Sequence, residues 1–304
     1  MKKRVLITGA SGFVGSHLVK NLLFEGWKVS IVAREASDLG SIINLKDKID
    51  VLLYRGDFTE LLNFFNKTNP SIVVHLAAKF IAEHKAEDIK FLVESNIEFG
   101  TSILEAMKLA NIKYFINTST SWQNFKNEDY NPVCLYASTK KAFEDIITFY
   151  EKAHGIRCLT LKLFDTYGPG DRRNKLFFML RRVAANQQTL RMSEGEQLLD
   201  LVYIDDVIDA YRTAMALIEN KENHSSVKEY AVSSGEHIAL KEIVKVFNDL
   251  SEKKVLVEWG AKPYRLREVM VPWTKYVLLP GWKAKTPFKE GIAKLLKSES
   301  WETI

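Results

Sequence analysis

The chain alternates between two apolar rhythms. Short, nearly unbroken apolar runs lie at Lys3-Arg4-Val5-Leu6-Ile7-Thr8, Lys28-Val29-Ser30-Ile31-Val32-Ala33, residues 50–54, Ile72-Val73-Val74-His75-Leu76-Ala77-Ala78, Lys113-Tyr114-Phe115-Ile116-Asn117-Thr118 and residues 157–163. Runs of that length read as buried strands. Between them, apolar positions recur at helical spacing: Leu18, Val19, Leu22 and Leu23; Leu61, Leu62, Phe64 and Phe65; residues 91–110; and Ala142, Phe143, Ile146, Ile147 and Tyr150. Strands alternating with helices across short connections predict an α/β fold with a doubly wound parallel sheet. His75, inside an apolar run, reads as a core histidine.

The pattern changes after residue 163. Phe164-Asp165-Thr166-Tyr167-Gly168-Pro169-Gly170 is turn-rich and marks entry into a smaller α/β lobe. Residues 174–186 read as a helix with Leu176, Met179, Leu180 and Val183 facing inward and Arg181 and Arg182 facing solvent. Asp200-Leu201-Val202-Tyr203-Ile204 returns the chain to the main domain, where residues 207–218 are helical. Leu240, Ile243, Val244 and Phe247 make an amphipathic helix, residues 255–257 a short strand, and a closing helix ends near Leu296. The expected division places 1–165 with 201–233 in a dinucleotide-binding domain, and 166–200 with 234–304 in a substrate lobe.

The first strand runs into Gly9-Ala10-Ser11-Gly12-Phe13-Val14-Gly15 and then into a helix. That order aims backbone N–H groups at a pyrophosphate. Gly9 permits the tight turn, Gly12 lets phosphates approach, and Gly15 lets helix pack on strand. An acidic residue ending the second strand would hold an adenosine ribose. Ala33 and Arg34 stand there instead. A guanidinium suits a 2′-phosphate, so the expected cofactor is NADP(H) in preference to NAD(H). Small Ala77 and Ala78 leave room for a ribose at the end of the fourth strand.

Tyr136-Ala137-Ser138-Thr139-Lys140 sets a phenol and an ammonium four residues apart on one helix face. A cation there favours the phenolate, which predicts a Tyr136 pKa lowered toward neutrality. Ligands of doubly wound sheets bind beyond the carboxyl ends of the strands. Gly12, Ala77, Thr120 and the segment before Tyr136 all belong at that edge. There the Thr120 hydroxyl can hold a carbonyl oxygen while Tyr136 delivers the proton.

Charge and composition narrow the classes. With 304 residues, 46% apolar and 27% charged, the chain has an ordinary globular make-up. A net charge of +5 is too modest for nucleic-acid binding but suits an anionic ligand. Arg172, Arg173 and Lys175, around the start of the 174–186 helix, are candidates for a diphosphate. No run approaches the ~18 apolar residues of a membrane span. After the basic Met1-Lys2-Lys3-Arg4, the run Val5-Leu6-Ile7 is too short for a signal peptide. Cys134 and Cys158 offer neither a disulfide framework nor metal-ligand spacing. The expectation is a cytoplasmic, metal-free protein without a nucleic-acid or membrane partner.

Gly9-x-x-Gly12-x-x-Gly15, Asp57, Leu76-Ala77-Ala78, Asn96, Thr118-Ser119-Thr120, Tyr136-x-x-x-Lys140 and Tyr167-Gly168-Pro169-Gly170 together resemble the extended short-chain dehydrogenase/reductases, the NAD-dependent epimerase/dehydratase family. The resemblance runs through nearly the whole chain. It implies a Rossmann fold, a nucleotide-diphosphate sugar as substrate, and a homodimer paired through the long helices after Phe91 and around Tyr136. It implies Thr120, Tyr136 and Lys140 as catalytic groups, with Lys140 also binding the nicotinamide ribose. Ser11, Phe13 and Val14 would hold the pyrophosphate with the three glycines. Asp57, beside Phe58, would meet the adenine amino group. Leu76, Ala77, Ala78, Asn96, Thr118 and Phe164 would complete the cofactor site.

Finer features select within the family. The resembled 4,6-dehydratases carry an Asp-Glu pair after the catalytic Thr, whereas Ser121-Trp122 follows here, with no acid or base to expel water. Sixteen positions separate Thr120 from Tyr136, a short insert beside that of the 4-epimerases. That insert, Gly170-Asp171-x-x-Asn174-Lys175, Gly195-Glu196-Gln197 and the segment from Trp259-Gly260-Ala261 to Arg265 resemble the CDP-abequose and CDP-paratose synthases. Those enzymes reduce the C4 ketone of a CDP-4-keto-6-deoxyhexose in the supply of deoxysugars for surface polysaccharide. A CDP sugar is the implied substrate, with dTDP or GDP sugars as alternatives. The family's usual Arg before the residue matching Asp200 is replaced by Leu199. Arg191 or Arg265 is therefore expected to hold the diphosphate, with Ser121, Trp122, Asn174 and Lys175 around the sugar. The alternatives are a 4-epimerase that retains its cofactor and a non-catalytic dinucleotide sensor. The intact Thr120, Tyr136 and Lys140 speak against the sensor.

Overall fold

The computed structural model describes residues 3–35, 37–220 and 228–298, so Met1 and Lys2 of the basic Met1-Lys2-Lys3-Arg4 stretch lie outside the described residues. β1 (Arg4–Thr8) is buried beyond Arg4 and leads through the glycine turn into α1 (Phe13–Phe24). β2 (Lys28–Arg34), β3 (Ile49–Tyr54), α2 (Phe58–Thr68) and β4 (Ile72–His75) follow. α3 (Asp88–Val93) continues through a π-turn at Glu94–Glu98 into α4 (Phe99–Leu109). Then come β5 (Tyr114–Thr120), α5 (Leu135–His154), β6 (Arg157–Leu163), β7 (Asp165–Tyr167), α6 (Leu176–Ala185), β8 (Thr189–Arg191), β9 (Leu198–Leu199) and β10 (Leu201–Tyr203). The chain closes with α7 (Ile204–Glu219), β11 (Glu229–Val232), β12 (Ile238–Ala239), α8 (Leu240–Leu250), β13 (Leu256–Glu258) and α9 (Phe288–Ser298).

The main sheet has the order β11-β6-β5-β4-β1-β2-β3 and is parallel throughout. The order reverses at β1, which opens a crevice at the carboxyl ends of β1 and β4. Strand side chains alternate between the two layers. Val5 and Ile7 join α1 and α7 on one side, whereas Leu6 joins α2, α4 and α5 on the other. α4 and α5 approach closely because Gly100 has no side chain: a Cβ there would lie 2.5 Å from the Phe143 ring. The first apolar layer continues into α6, α8 and α9, where the Tyr167 ring lies 5.0 Å from Phe177 and 6.1 Å from Phe288.

Two sequence expectations need correction here. The 91–110 helix begins at Asp88 and carries a π-turn, which periodicity does not announce. Arg181 points inward: it is buried in register with Phe177, Leu180 and Ala184, one face of α6 at helical spacing. Charge placed it outside, but the position it holds on the helix decides.

Candidate active site

Gly9 has a φ of +71°, and a Cβ there would lie 2.6 Å from the backbone nitrogen of Ala77. A Cβ on Gly15 would lie 2.2 Å from the Gly9 carbonyl oxygen. The turn is therefore pressed against β4 and α1 with no room for side chains. Gly12 caps α1 without a side-chain hydrogen bond, which leaves first-turn N–H groups facing the crevice for an anion.

Two cavities meet at Gly9, Gly12, Leu76 and Ala78. One, of about 640 Å³, runs outward past Ser11 and Ala77 to Arg34, Ser37, Tyr54 and Arg55. The other, of about 480 Å³, runs inward past Phe13, Val14, Thr118 and Phe164 to Thr120 and Tyr136. A long cleft with a glycine waist, open helix N–H groups and cations at its outer end fits a dinucleotide.

Thr120 ends β5, and its hydroxyl oxygen accepts a 3.2 Å hydrogen bond from the Trp122 N–H. Tyr136 lies in the first turn of α5, with the Phe80 ring edge-on at 5.0 Å. Lys140 is buried one turn further along, its Nζ 5.8 Å from the Phe143 ring and without a hydrogen-bond partner among the described residues. Burial pulls the Lys140 ammonium down to about 8, opposed by the negative charge of Glu144. The expected lowering of the Tyr136 pKa is overturned. Burial pushes the phenol above its ordinary value, Cys134 and Glu144 add to the rise, and the Arg173 guanidinium opposes it. Helical spacing alone ignored the desolvation that dominates at this depth.

Asn96 sits inside the π-turn and does not line the cleft. Its Nδ2 donates to the Thr139 hydroxyl and, at 3.1 Å, to the Lys79 carbonyl, while its Oδ1 accepts from the Lys79 N–H at 2.7 Å. Asn96 thereby ties the segment after β4 to the helix of Tyr136 and Lys140.

A third cavity, of about 370 Å³, adjoins the second along Phe80, Ser121, Trp122, Asn174 and Lys175. Arg265 lines it, paired with Glu268 through two 2.8 Å bonds and lying 5.3 Å from the Trp122 ring. Arg173 links this side to the glycine turn. It bonds Asp171 at 2.6 and 2.7 Å and the Thr166 carbonyl at 2.9 Å, and it lies 4.6 Å over the Phe13 ring. Lys175 pairs with Asp165 at 3.2 Å.

Residues 5–228 match the NAD dependent epimerase/dehydratase family. The chain belongs to that family. It is a dinucleotide-dependent enzyme of oxidoreductase type on a Rossmann fold. Curated relatives include CDP-abequose synthase of Salmonella typhimurium, 27% identical over 308 residues and 98% of each chain. The CDP-abequose synthase of Yersinia pseudotuberculosis is 28% identical over 295 residues, 97% of this chain and 99% of that one. UDP-glucose 4-epimerase of Mycolicibacterium smegmatis is 27% identical over 228 residues, 68% of this chain and 72% of that one. The structure of Thermus thermophilus UDP-glucose 4-epimerase with NAD shares the fold, with a TM-score of 0.81 and 24% identity over 97% of this chain and 98% of that one.

Some candidate residues of this family member lie outside the cleft. Asp57 is exposed and caps α2, its Oδ1 accepting from the Thr59 N–H at 2.8 Å; neither it nor Phe58 lines the cavities. Arg191 is exposed, pairs with Glu258 at 3.4 Å and donates to the Ala261 carbonyl at 3.2 Å. It lines none of the three cavities, so of the two arginines proposed for the diphosphate only Arg265 faces one. Phe80 was missed because it follows β4 in irregular chain, where no period marks it. Among the described residues, no cluster of three or more His, Cys, Asp or Glu could hold a metal, and no helix is long and apolar enough to cross a membrane.

Proposed function

We propose that this enzyme uses NADPH to reduce the C4 ketone of a nucleotide-diphosphate 4-keto-6-deoxyhexose, yielding a deoxysugar for surface polysaccharide. The observation that carries the reading is the meeting of Thr120 and Tyr136 in a cleft floored by the glycine turn, with Ser121 and Trp122 in place of an eliminating acid and base. Gly9, Ser11, Gly12, Phe13, Val14 and Gly15 would hold the cofactor's pyrophosphate. Bound there, the reduced nicotinamide supplies a hydride. The Thr120 hydroxyl holds the ketone oxygen in this reading, and Tyr136 gives that oxygen its proton as negative charge develops. The burial that raises the phenol keeps it protonated, as a donor must be at neutral pH. Lys140 and Arg173 lend positive charge to the phenolate left behind.

At the outer end, Arg34 closes β2, and the neighbouring Glu35 is engaged by Arg55 at 2.6 Å. Two guanidiniums beside an occupied carboxylate support NADPH over NADH. The CDP-abequose synthase relatives support a cytidine diphosphate sugar, with Arg265 and Lys175 the cations on that cavity's wall for its diphosphate. Exposed Ile89, Phe91, Leu109 and Phe149, on α3, α4 and α5, support pairing of two copies through those helices.

The epimerase relative supports a second reading, a 4-epimerase that keeps its NAD(P). A panel of CDP-, dTDP- and GDP-4-keto-6-deoxysugars, each with NADPH and with NADH, separates the two. Ketoreduction consumes NADPH in step with a new C4 alcohol seen by NMR. Interconversion of nucleotide sugars without net NADPH consumption would replace it with the second reading.

A further inference from the structure

We propose that Glu144 is a positioning residue for the catalytic pair: its carboxylate fastens the end of β5 that carries Thr120 to the helix that carries Tyr136 and Lys140, and supplies the negative charge that Lys140 faces. The proposal rests on the roles given above to those three residues. Glu144 is 5% exposed and stands one turn beyond Lys140 on α5. Its Oε1 accepts hydrogen bonds from the Ser119 hydroxyl and, at 2.9 Å, from the Gln123 side-chain amide.

The placement of those two donors matters. Ser119 precedes Thr120 in β5, so alternation sends its side chain toward α5 while Thr120 turns to the other face of the sheet. Gln123 lies in the short turn that follows Thr120. The carboxylate therefore holds both sides of Thr120 against α5. A rotation of β5 relative to α5 would move the Thr120 hydroxyl with respect to the Tyr136 phenol, and productive geometry tolerates little such movement.

The charge matters as well. Lys140 faces Glu144 along α5, the neutral ring of buried His75 from β4, and the Phe143 ring. A buried ammonium without an anion gives up its proton. Glu144 in turn faces Lys141 at 3.6 Å on its own helix, Lys162 on β6 and, more distantly, Glu229 on β11, which pairs with Lys162 at 2.7 Å. Its Oε2 accepts no hydrogen bond among the described residues and lies 3.6 Å from the Lys141 ammonium. A buried carboxylate on α5 whose two hydrogen-bond donors flank Thr120 has a use beyond packing.

Two substitutions separate tether from charge. Glu144→Gln keeps an acceptor for Ser119 and Gln123 without the charge; Glu144→Ala removes both. The alkaline limb of kcat/KM is expected to move to lower pH in Glu144→Gln, and kcat to fall roughly 10-fold or more in Glu144→Ala with little change in KM. A Glu144→Gln profile that overlays the unaltered enzyme, or a Glu144→Ala loss confined to KM, would overturn the proposal. A readout independent of substrate is the NMR titration of Lys140 in protein labelled at lysine Cε, assigned with Lys140→Met. Its pKa should fall in Glu144→Gln, and an unchanged value contradicts the proposal even if no ketone in the panel is reduced. Should the Glu144 variants fail to fold, Ser119→Ala leaves the carboxylate in place. It should lower kcat without moving the alkaline limb, and an unchanged kcat would remove the tether.

Discussion

Asn96 donates a 2.9 Å hydrogen bond to the hydroxyl of Thr139, the residue immediately before Lys140. The π-turn turns Asn96 inward, and the same amide serves both backbone groups of Lys79. Thr139 passes the link on by donating to the Tyr136 carbonyl at 2.8 Å. The segment after β4 and the first turn of α5, from which Tyr136 projects, thus share one polar junction.

Replacing Asn96 with Ala removes two bonds to the backbone of exposed Lys79 and one buried bond to Thr139. A hydrogen bond contributes ~0.5–1.5 kcal/mol net. Thermal unfolding of Asn96→Ala should show a destabilisation of that order, with a fall in kcat larger than any change in NADPH affinity. A stability equal to that of the unaltered enzyme would show that water replaces the amide.

Tyr136→Phe removes the proton donor and leaves the ring that packs against Phe80. Turnover should drop by ~10²–10⁴-fold, with cofactor affinity, read by fluorescence titration, nearly unchanged. Turnover within a few-fold of the unaltered enzyme would remove Tyr136 from the proton-transfer step.

The depressed Lys140 has two consequences for pH. Turnover should decline as the pH rises through about 8, where the ammonium loses its proton. Stability follows the opposite course. Below about 8 the fold carries the full cost of burying the charge, and the ordinary value in the unfolded chain is 10.5. Between these two values the unfolded chain binds more protons, so stability gains from Lys140 as pH rises. Lys140→Met should be inactive yet more stable at neutral pH in denaturant unfolding, because the thioether carries no charge to desolvate and Glu144 keeps Lys141 at 3.6 Å. Loss of stability would place Lys140 among the structural residues.

Arg34 is exposed at the rim of the outer cavity, with Nη1 3.4 Å from the Ser95 hydroxyl. Arg34→Ala should raise the KM for NADPH roughly 10- to 100-fold and leave that for NADH nearly unchanged, the share of a charge-assisted hydrogen bond. An equal effect on both cofactors would argue that Arg34 reads no 2′-phosphate.

The parts of the site that were legible beforehand are those whose chemistry is carried by spacing along the chain. Gly9 and Gly15 announce their turn because a side chain would collide with backbone nearby in sequence or just beyond β4, and at Gly12 a Cβ would press on the Gly9 carbonyl at 3.2 Å. Tyr136 and Lys140 announce themselves by lying one helical turn apart. Depth was not legible: the phenol's pKa depends on burial and on Arg173, which lies 37 residues away in the chain. Glu144 reads as an ordinary polar position until Ser119 and Gln123 are seen to converge on it. The resemblance favours Arg265 over Arg191, and the tertiary structure sends Arg191 to exposed Glu258 and Arg265 to the cavity wall.

The most direct test supplies NADPH carrying deuterium at both C4 positions of the nicotinamide together with a CDP-4-keto-6-deoxyhexose, and follows the sugar by NMR. Hydride reduction predicts one deuterium at sugar C4 for each NADPH consumed, and none in Tyr136→Phe over the same time. Turnover of the sugar without deuterium at C4, or without net loss of NADPH, would contradict the account.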